Sequence, residues 1–219
     1  MKDLISTVAP EESAVLIIDM QNDYVHREGA SLHYFRVSDD GREIAADDEP
    51  SAAEQIVSCI IKVVTEARLA GVPVIWVRTV NDEYTASPKA VQQGKRFVWA
   101  DDDWGIAYFA GLGPESGEPI ITKHRHSAFY GTKLDIVLGR LGVKTVIITG
   151  VSTPYCVEGT ARDAFARDYS VITLADGTAS KVHAEHEAAL SRLGRVFGQV
   201  FTAPEIISVW HNSAVLESG

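Results

Sequence analysis

Three residues of different chemical type stand at points where a chain of this pattern concentrates reactivity. Cys156 follows the apolar run Ile147-Ile148-Thr149 and the turn Gly150-Val151-Ser152. A helix is predicted to open at Thr153-Pro154, since threonine suits the cap and proline the first helical position. That places the thiol in the first turn, where backbone N–H groups lack helical partners and the dipole favours negative charge. The expectation is a thiol that ionises more readily than a free cysteine and acts as a nucleophile. Lys123 closes the segment Pro-Ile-Ile-Thr-Lys at 119–123, and Asp19 closes the apolar run Ser-Ala-Val-Leu-Ile-Ile at 13–18. An ammonium near the thiol would favour thiolate, and a carboxylate would take the thiol proton and return it to a leaving amine. Taken singly, each has a plainer reading: a buried small hydrophobe, a solvated lysine, a turn aspartate. The other cysteine, Cys59, shares a helical face with Ile56, Ile60, Val63 and Ala67 and reads as core.

The elements that must position these residues are legible as alternating strands and helices. Apolar runs at 13–19, 73–79, 119–123, 144–150, 170–175 and 200–202 read as six strands. Helical periodicity falls at 51–70, at a segment capped by Thr132 and stopped at Gly142, and at 154–168, 181–197 and 204–210. The alternation predicts an α/β fold: a doubly wound, mostly parallel six-stranded sheet with helices on both faces, one domain over residues 1–219. In such sheets ligands bind at the carboxyl ends of the strands, where Asp19, Lys123 and Cys156 all fall. Residues 26–50 read as a long acidic loop, a lid or an oligomer contact, and 80–117 as irregular. The formal charge of −10 with a sequence pI near 5.1 speaks against nucleic acid and anionic membranes as partners. No apolar stretch approaches a membrane span and the N-terminus lacks a signal-peptide pattern, so a cytoplasmic location is expected.

Three segments in order carry a resemblance over nearly the whole chain: Ile17-Ile18-Asp19-Met20-Gln21-Asn22-Asp23-Tyr24, then Lys123-His124-Arg125-His126-Ser127-Ala128-Phe129-Tyr130-Gly131-Thr132, then Gly150-Val151-Ser152-Thr153-Pro154-Tyr155-Cys156-Val157-Glu158-Gly159-Thr160. The chain resembles the isochorismatase-like cysteine hydrolases, which include nicotinamidases, N-carbamoylsarcosine amidases, ureidoacrylate hydrolases and biuret hydrolases. The resemblance implies an Asp19–Lys123–Cys156 triad, a cis peptide between Val151 and Ser152, and an oxyanion hole formed by the Ser152 and Cys156 N–H groups. It implies attack of Cys156 on an amide or ureide carbonyl, a thioester, and hydrolysis by water activated at Asp19. It also implies assembly as a homodimer or homotetramer.

Nicotinamidases of this family carry an Asp-x-His metal pair after the second strand, and this chain has Arg78-Thr79-Val80-Asn81-Asp82-Glu83 there. The expectation is therefore no catalytic metal and no cofactor. His124 and His126 have H-x-H spacing without a third ligand, and His183 and His186 read as a solvated helix face. The missing pair argues against nicotinamide, and the thiol argues against vinyl-ether cleavage, which does not need it. Small amides and ureides of the biuret, triuret, ureidoacrylate or N-carbamoyl amine type are the expected substrates. Gln21, Asn22, Tyr24, Arg78, Arg125, Phe129 and Tyr155 are the candidate lining, with Trp99 and Trp104 as a roof or an interface. The competing readings are a nicotinamidase-like amidase and a non-catalytic binding or assembly protein. Thr-Pro-Tyr-Cys departs from the Thr-Asn-x-Cys wording common among ureide hydrolases.

Overall fold

The strand β1, Ser13–Ile18, is buried along its whole length, as a strand covered by helices on both sides must be. The same holds for β4, Thr145–Val151, whose seven residues are all buried. A computed structural model describes residues 8–29, 51–92 and 103–217. Residues 30–50 of the loop expected at 26–50, His33 among them, and Trp99 lie outside the described residues.

Six strands form one sheet in the order β3-β2-β1-β4-β5-β6, with β2 at Val74–Thr79, β3 at Ile120–Lys123, β5 at Ser170–Ala179 and β6 at Gln199–Phe201. Every strand pair is parallel, so the expected mostly parallel sheet is wholly so among the described residues. Parallel neighbours need crossovers, and helices supply them. Helix α1, Val57–Leu69, joins β1 to β2; α2, Leu134–Arg140, joins β3 to β4; α3, Glu158–Phe165, joins β4 to β5; α4, His183–Arg192, precedes β6; α5, Ala203–Glu217, follows it.

Alternation along β1 divides the core into two layers. Val15 and Ile17 pack under α1 and α5 with Ile60, Val64, Ile206 and Trp210. Ala14, Leu16 and Ile18 pack under α2 and α3 with Leu134, Leu138, Val157 and Ala161. Each fully buried Leu or Ile contributes about 1.5–3 kcal/mol. The winding reverses between β1 and β4, which are hydrogen-bonded neighbours, so a crevice opens at their carboxyl ends.

Several boundaries differ from the sequence expectation, the last helix running to Glu217 where 204–210 was expected. The helix at 51–70 is two pieces: Ser51 and Glu54 form a reciprocal cap on the short turn Ala52–Gln55, Ile56 bends the chain into the core, and α1 starts at Val57. Helix α2 starts at Leu134, with the Thr132 hydroxyl accepting its first N–H. Strand β5 runs on past the expected end at Ala175 to Ala179, because a register shift opposite Ile148–Gly150 lets Thr178 and Ala179 rejoin β4.

Candidate active site

Four neighbouring strands each deliver one side chain to the same point. Asp19 follows β1 in a left-handed conformation, φ 52°, which aspartate tolerates better than most residues. Its Oδ1 accepts from the Thr79 hydroxyl at 2.9 Å, and its Oδ2 pairs with Lys123 Nζ at 2.7 Å. Lys123, the last residue of β3, is 0% exposed and Asp19 1%. The ammonium also donates to Thr79 Oγ1 at 2.6 Å, to Arg125 O at 3.1 Å and to Cys156 Sγ at 3.3 Å. β2 lies between β1 and β3, so its terminal Thr79 bridges a carboxylate and an ammonium that are not strand neighbours.

The nucleophile's turn is built at the end of β4. Gly150 has φ 104°, and a Cβ there would fall 2.0 Å from Ile18 O, so only glycine lets β4 pass the end of β1. The Val151–Ser152 peptide is cis, as the resemblance implies. A wide i→i+5 turn, Thr153–Val157, then feeds α3, in place of the uniform helix at 154–168. Tyr155 and Val157 donate their N–H groups to Ser152 O, so Ser152 caps the turn where Thr153 was expected to. The Thr153 hydroxyl instead meets His186 Nδ1 at 2.8 Å. His186 is half-buried against the turn, a correction to its reading as part of a solvated face.

The electrostatics correct a further expectation. Burial pushes the Cys156 thiol up to about 12, Lys123 opposes that rise, and the Asp19 charge adds to it. The helix start is outweighed because the thiol is buried beside a carboxylate. Burial works against the Lys123 ammonium, but Asp19 and Cys156 more than offset it and hold the group above its ordinary value. Burial therefore favours the protonated thiol at Cys156, while Lys123 is held as the ammonium.

The candidate lining separates into residues near the thiol and residues engaged elsewhere. Tyr24 is half-buried beside the site: burial raises its phenol well above the usual range, and the Asp19 and Cys156 charges raise it further. Tyr155 stacks on His126 with ring centroids 5.8 Å apart and donates to Glu185 at 3.3 Å. Gln21 is fully buried with its amide on backbone, donating to Thr79 O and Ile106 O and accepting from Thr79 N–H, so it holds Thr79 in place. Asn22 donates to Trp104 O, and the Trp104 ring packs edge-on to His26. Arg78 alternates away from Thr79 and donates to Thr122 Oγ1. Arg125 is exposed, its guanidinium on the carbonyls of Thr85 and His124. Phe129 is core, 5% exposed, with the Arg167 guanidinium over its ring at 4.8 Å.

Two residues near the thiol escaped the sequence reading. Thr79 looks like an ordinary β-strand threonine, and strand-end alternation opposite Arg78 was the available signal. His126, whose H-x-H spacing with His124 lacks a third ligand, places Nδ1 3.6 Å from Cys156 Sγ. His124 Nδ1 lies instead at Val80 O. Among the described residues no group of three or more His, Cys, Asp or Glu is arranged to hold a metal, and no helix is long and apolar enough to cross a membrane.

A cysteine, a lysine and an aspartate converging at the winding switch of a parallel sheet make a strand-end site of the kind where open α/β sheets bind their ligands, and comparison with known proteins narrows the class. The isochorismatase domain matches residues 13–205. Ureidoacrylate amidohydrolase RutB from Methylobacterium radiotolerans is 32% identical over 209 residues, covering 87% of this chain and 76% of that protein. An isochorismatase-like hydrolase from Alkaliphilus metalliredigens superposes with a TM-score of 0.74 at 31% identity, covering 94% of this chain and 99% of that one. N-carbamoylsarcosine amidase from Thermoplasma acidophilum does so with a TM-score of 0.68 at 26% identity, covering 88% and 96%. The chain belongs to the isochorismatase family.

Proposed function

We propose that this enzyme hydrolyses a small amide or ureide through a thioester on Cys156. The observation that carries the reading is Lys123 Nζ lying 2.7 Å from Asp19 and 3.3 Å from Cys156 Sγ with both titratable partners buried. Asp19 takes the thiol proton as Sγ attacks the carbonyl carbon, and Lys123 compensates whichever partner is negative. The Ser152 and Cys156 N–H groups receive the oxyanion, fixed before the charge develops. Collapse breaks the C–N bond, and the proton on Asp19 goes to the departing ammonia or amine. Water then attacks the thioester, Asp19 takes its proton, and the acid leaves with the thiol restored.

The relatives named as acting on ureidoacrylate and N-carbamoylsarcosine support ureides and N-carbamoyl amines as the substrate class. A panel of amides and ureides assayed for ammonia release tests this. The expected result is turnover of at least one ureide that vanishes in Cys156→Ala while the fold is kept. Full activity of the alanine variant would refute the mechanism.

A further inference from the structure

Seven buried polar atoms lack a partner among the described residues: the hydroxyls of Ser13, Tyr108, Thr149 and Thr173, Trp210 Nε1, Asp19 Oδ2, which faces the Lys123 ammonium, and Asn81 Oδ1. Asn81 Oδ1 stands just past the end of β2, beside the strand ends that carry the site. It is an amide carbonyl on a residue 2% exposed, and an orphaned acceptor so placed calls for a ligand.

Its position says where that ligand sits. Beyond Thr79 the chain stays bonded to the neighbouring strand: Val80 N–H donates to Lys123 O at 3.2 Å, and Val80 O meets His124 Nδ1 at 2.6 Å. Alternation then puts Asn81 on the face that Thr79 presents to Asp19 and Lys123. Two residues of strand carry it roughly 6–7 Å further toward the open end of the sheet. A substrate whose scissile carbonyl lies at Cys156 would run past Asn81 with the part beyond that carbonyl. A carbonyl oxygen only accepts, so the matching group is a donor. A ureide carries an N–H there; a simple carboxamide carries a methylene and leaves the oxygen unpaired.

We propose that Asn81 Oδ1 accepts a hydrogen bond from a substrate N–H beyond the scissile carbonyl, and that Asn81 thereby selects ureides over simple carboxamides. The inference rests on the amidohydrolase reading of the Asp19–Lys123–Cys156 site and names the feature of the substrate that the site recognises.

The test uses two probes of one shape, ethylurea and butyramide, which differ by one N–H for one methylene. The quantity read is the ratio of kcat/KM for the urea to that for the amide, compared between wild type and variant so that intrinsic reactivity cancels. Asn81→Leu removes the acceptor at similar volume and is expected to lower that ratio roughly 10–100-fold. Asn81→Asp keeps an acceptor and is expected to hold the ratio within about 3-fold, which separates loss of the hydrogen bond from disturbance of the fold. An unchanged ratio in Asn81→Leu, or an equal fall in Asn81→Asp, overturns the assignment while leaving the nucleophile in place. Failure of wild type to turn over either probe or any other amide or ureide overturns the amidohydrolase reading itself, and the assignment with it.

Discussion

At the thiol, local and tertiary effects act in opposite directions, and the tertiary ones win. A helix start lowers a cysteine's pKa, yet burial and the Asp19 charge bring Cys156 up to about 12. Asp19 is thus both the acceptor of the thiol proton and a reason the thiol keeps it. Asp19→Asn removes the charge and keeps the shape. Iodoacetamide is then expected to alkylate Cys156 faster at neutral pH than in wild type, while turnover falls by roughly 10²–10⁴ because the proton acceptor is gone. Slower alkylation in that variant would contradict the assignment. Thr79 holds the other end of the pair, donating to Asp19 and accepting from Lys123. Thr79→Val leaves a buried charge pair short of both bonds, a cost of about 1–3 kcal/mol. Steady-state kinetics should show kcat reduced about 10-fold or more, restored by Thr79→Ser.

Among the elements, the end of β4 and the start of α3 are the most constrained. Gly150→Ala would force a Cβ to 2.0 Å from Ile18 O in a backbone conformation that L residues rarely adopt. The expected loss exceeds about 3 kcal/mol, readable as little soluble protein or a sharply lowered Tm. The nucleophile's helix is tied to α4 through Glu158, 4% exposed, which accepts from both Arg162 and Arg192. Burial favours the neutral acid, but the two guanidinium groups, Arg192 above all, hold its pKa below the ordinary value of 4.5. A carboxyl so depressed adds stability above its unfolded pKa and loses it as pH falls through the folded one. Thermal melts of Arg192→Ala should therefore fall below wild type by an amount equivalent to about 1 kcal/mol at neutral pH. The effect is no larger because Arg192 is nearly half exposed and its pairing is screened, and the gap should narrow below pH 4.5 as Glu158 takes up its proton. A gap independent of pH would assign Arg192 a packing role instead.

Across the molecule, legibility followed burial. Parallel strands covered on both faces read as unbroken apolar runs, so Asp19 and Lys123 stood out as the charges that ended two of them. The strand count, the winding and the cis turn before Cys156 were all expected. Thr79 was not, because its role comes from β2 lying between β1 and β3, a long-range fact that strand-end alternation alone does not supply. Arg78 drew attention by its charge although alternation turns it to the other face. Gln21 and Phe129 were read as lining, and they are a backbone clamp and a core ring; polarity and aromaticity alone do not say which way a side chain faces. The pKa of Cys156 departs from the expectation for the same reason, since its charged determinants, Asp19 and Lys123, arrive from two other strands. The central claim is that Cys156 becomes acylated during turnover. Rapid acid quench with a turned-over ureide, followed by peptide mass spectrometry, is predicted to find the acyl or carbamoyl mass on Cys156, absent in Cys156→Ala. Sustained turnover with Cys156 unmodified at every quench time would contradict it.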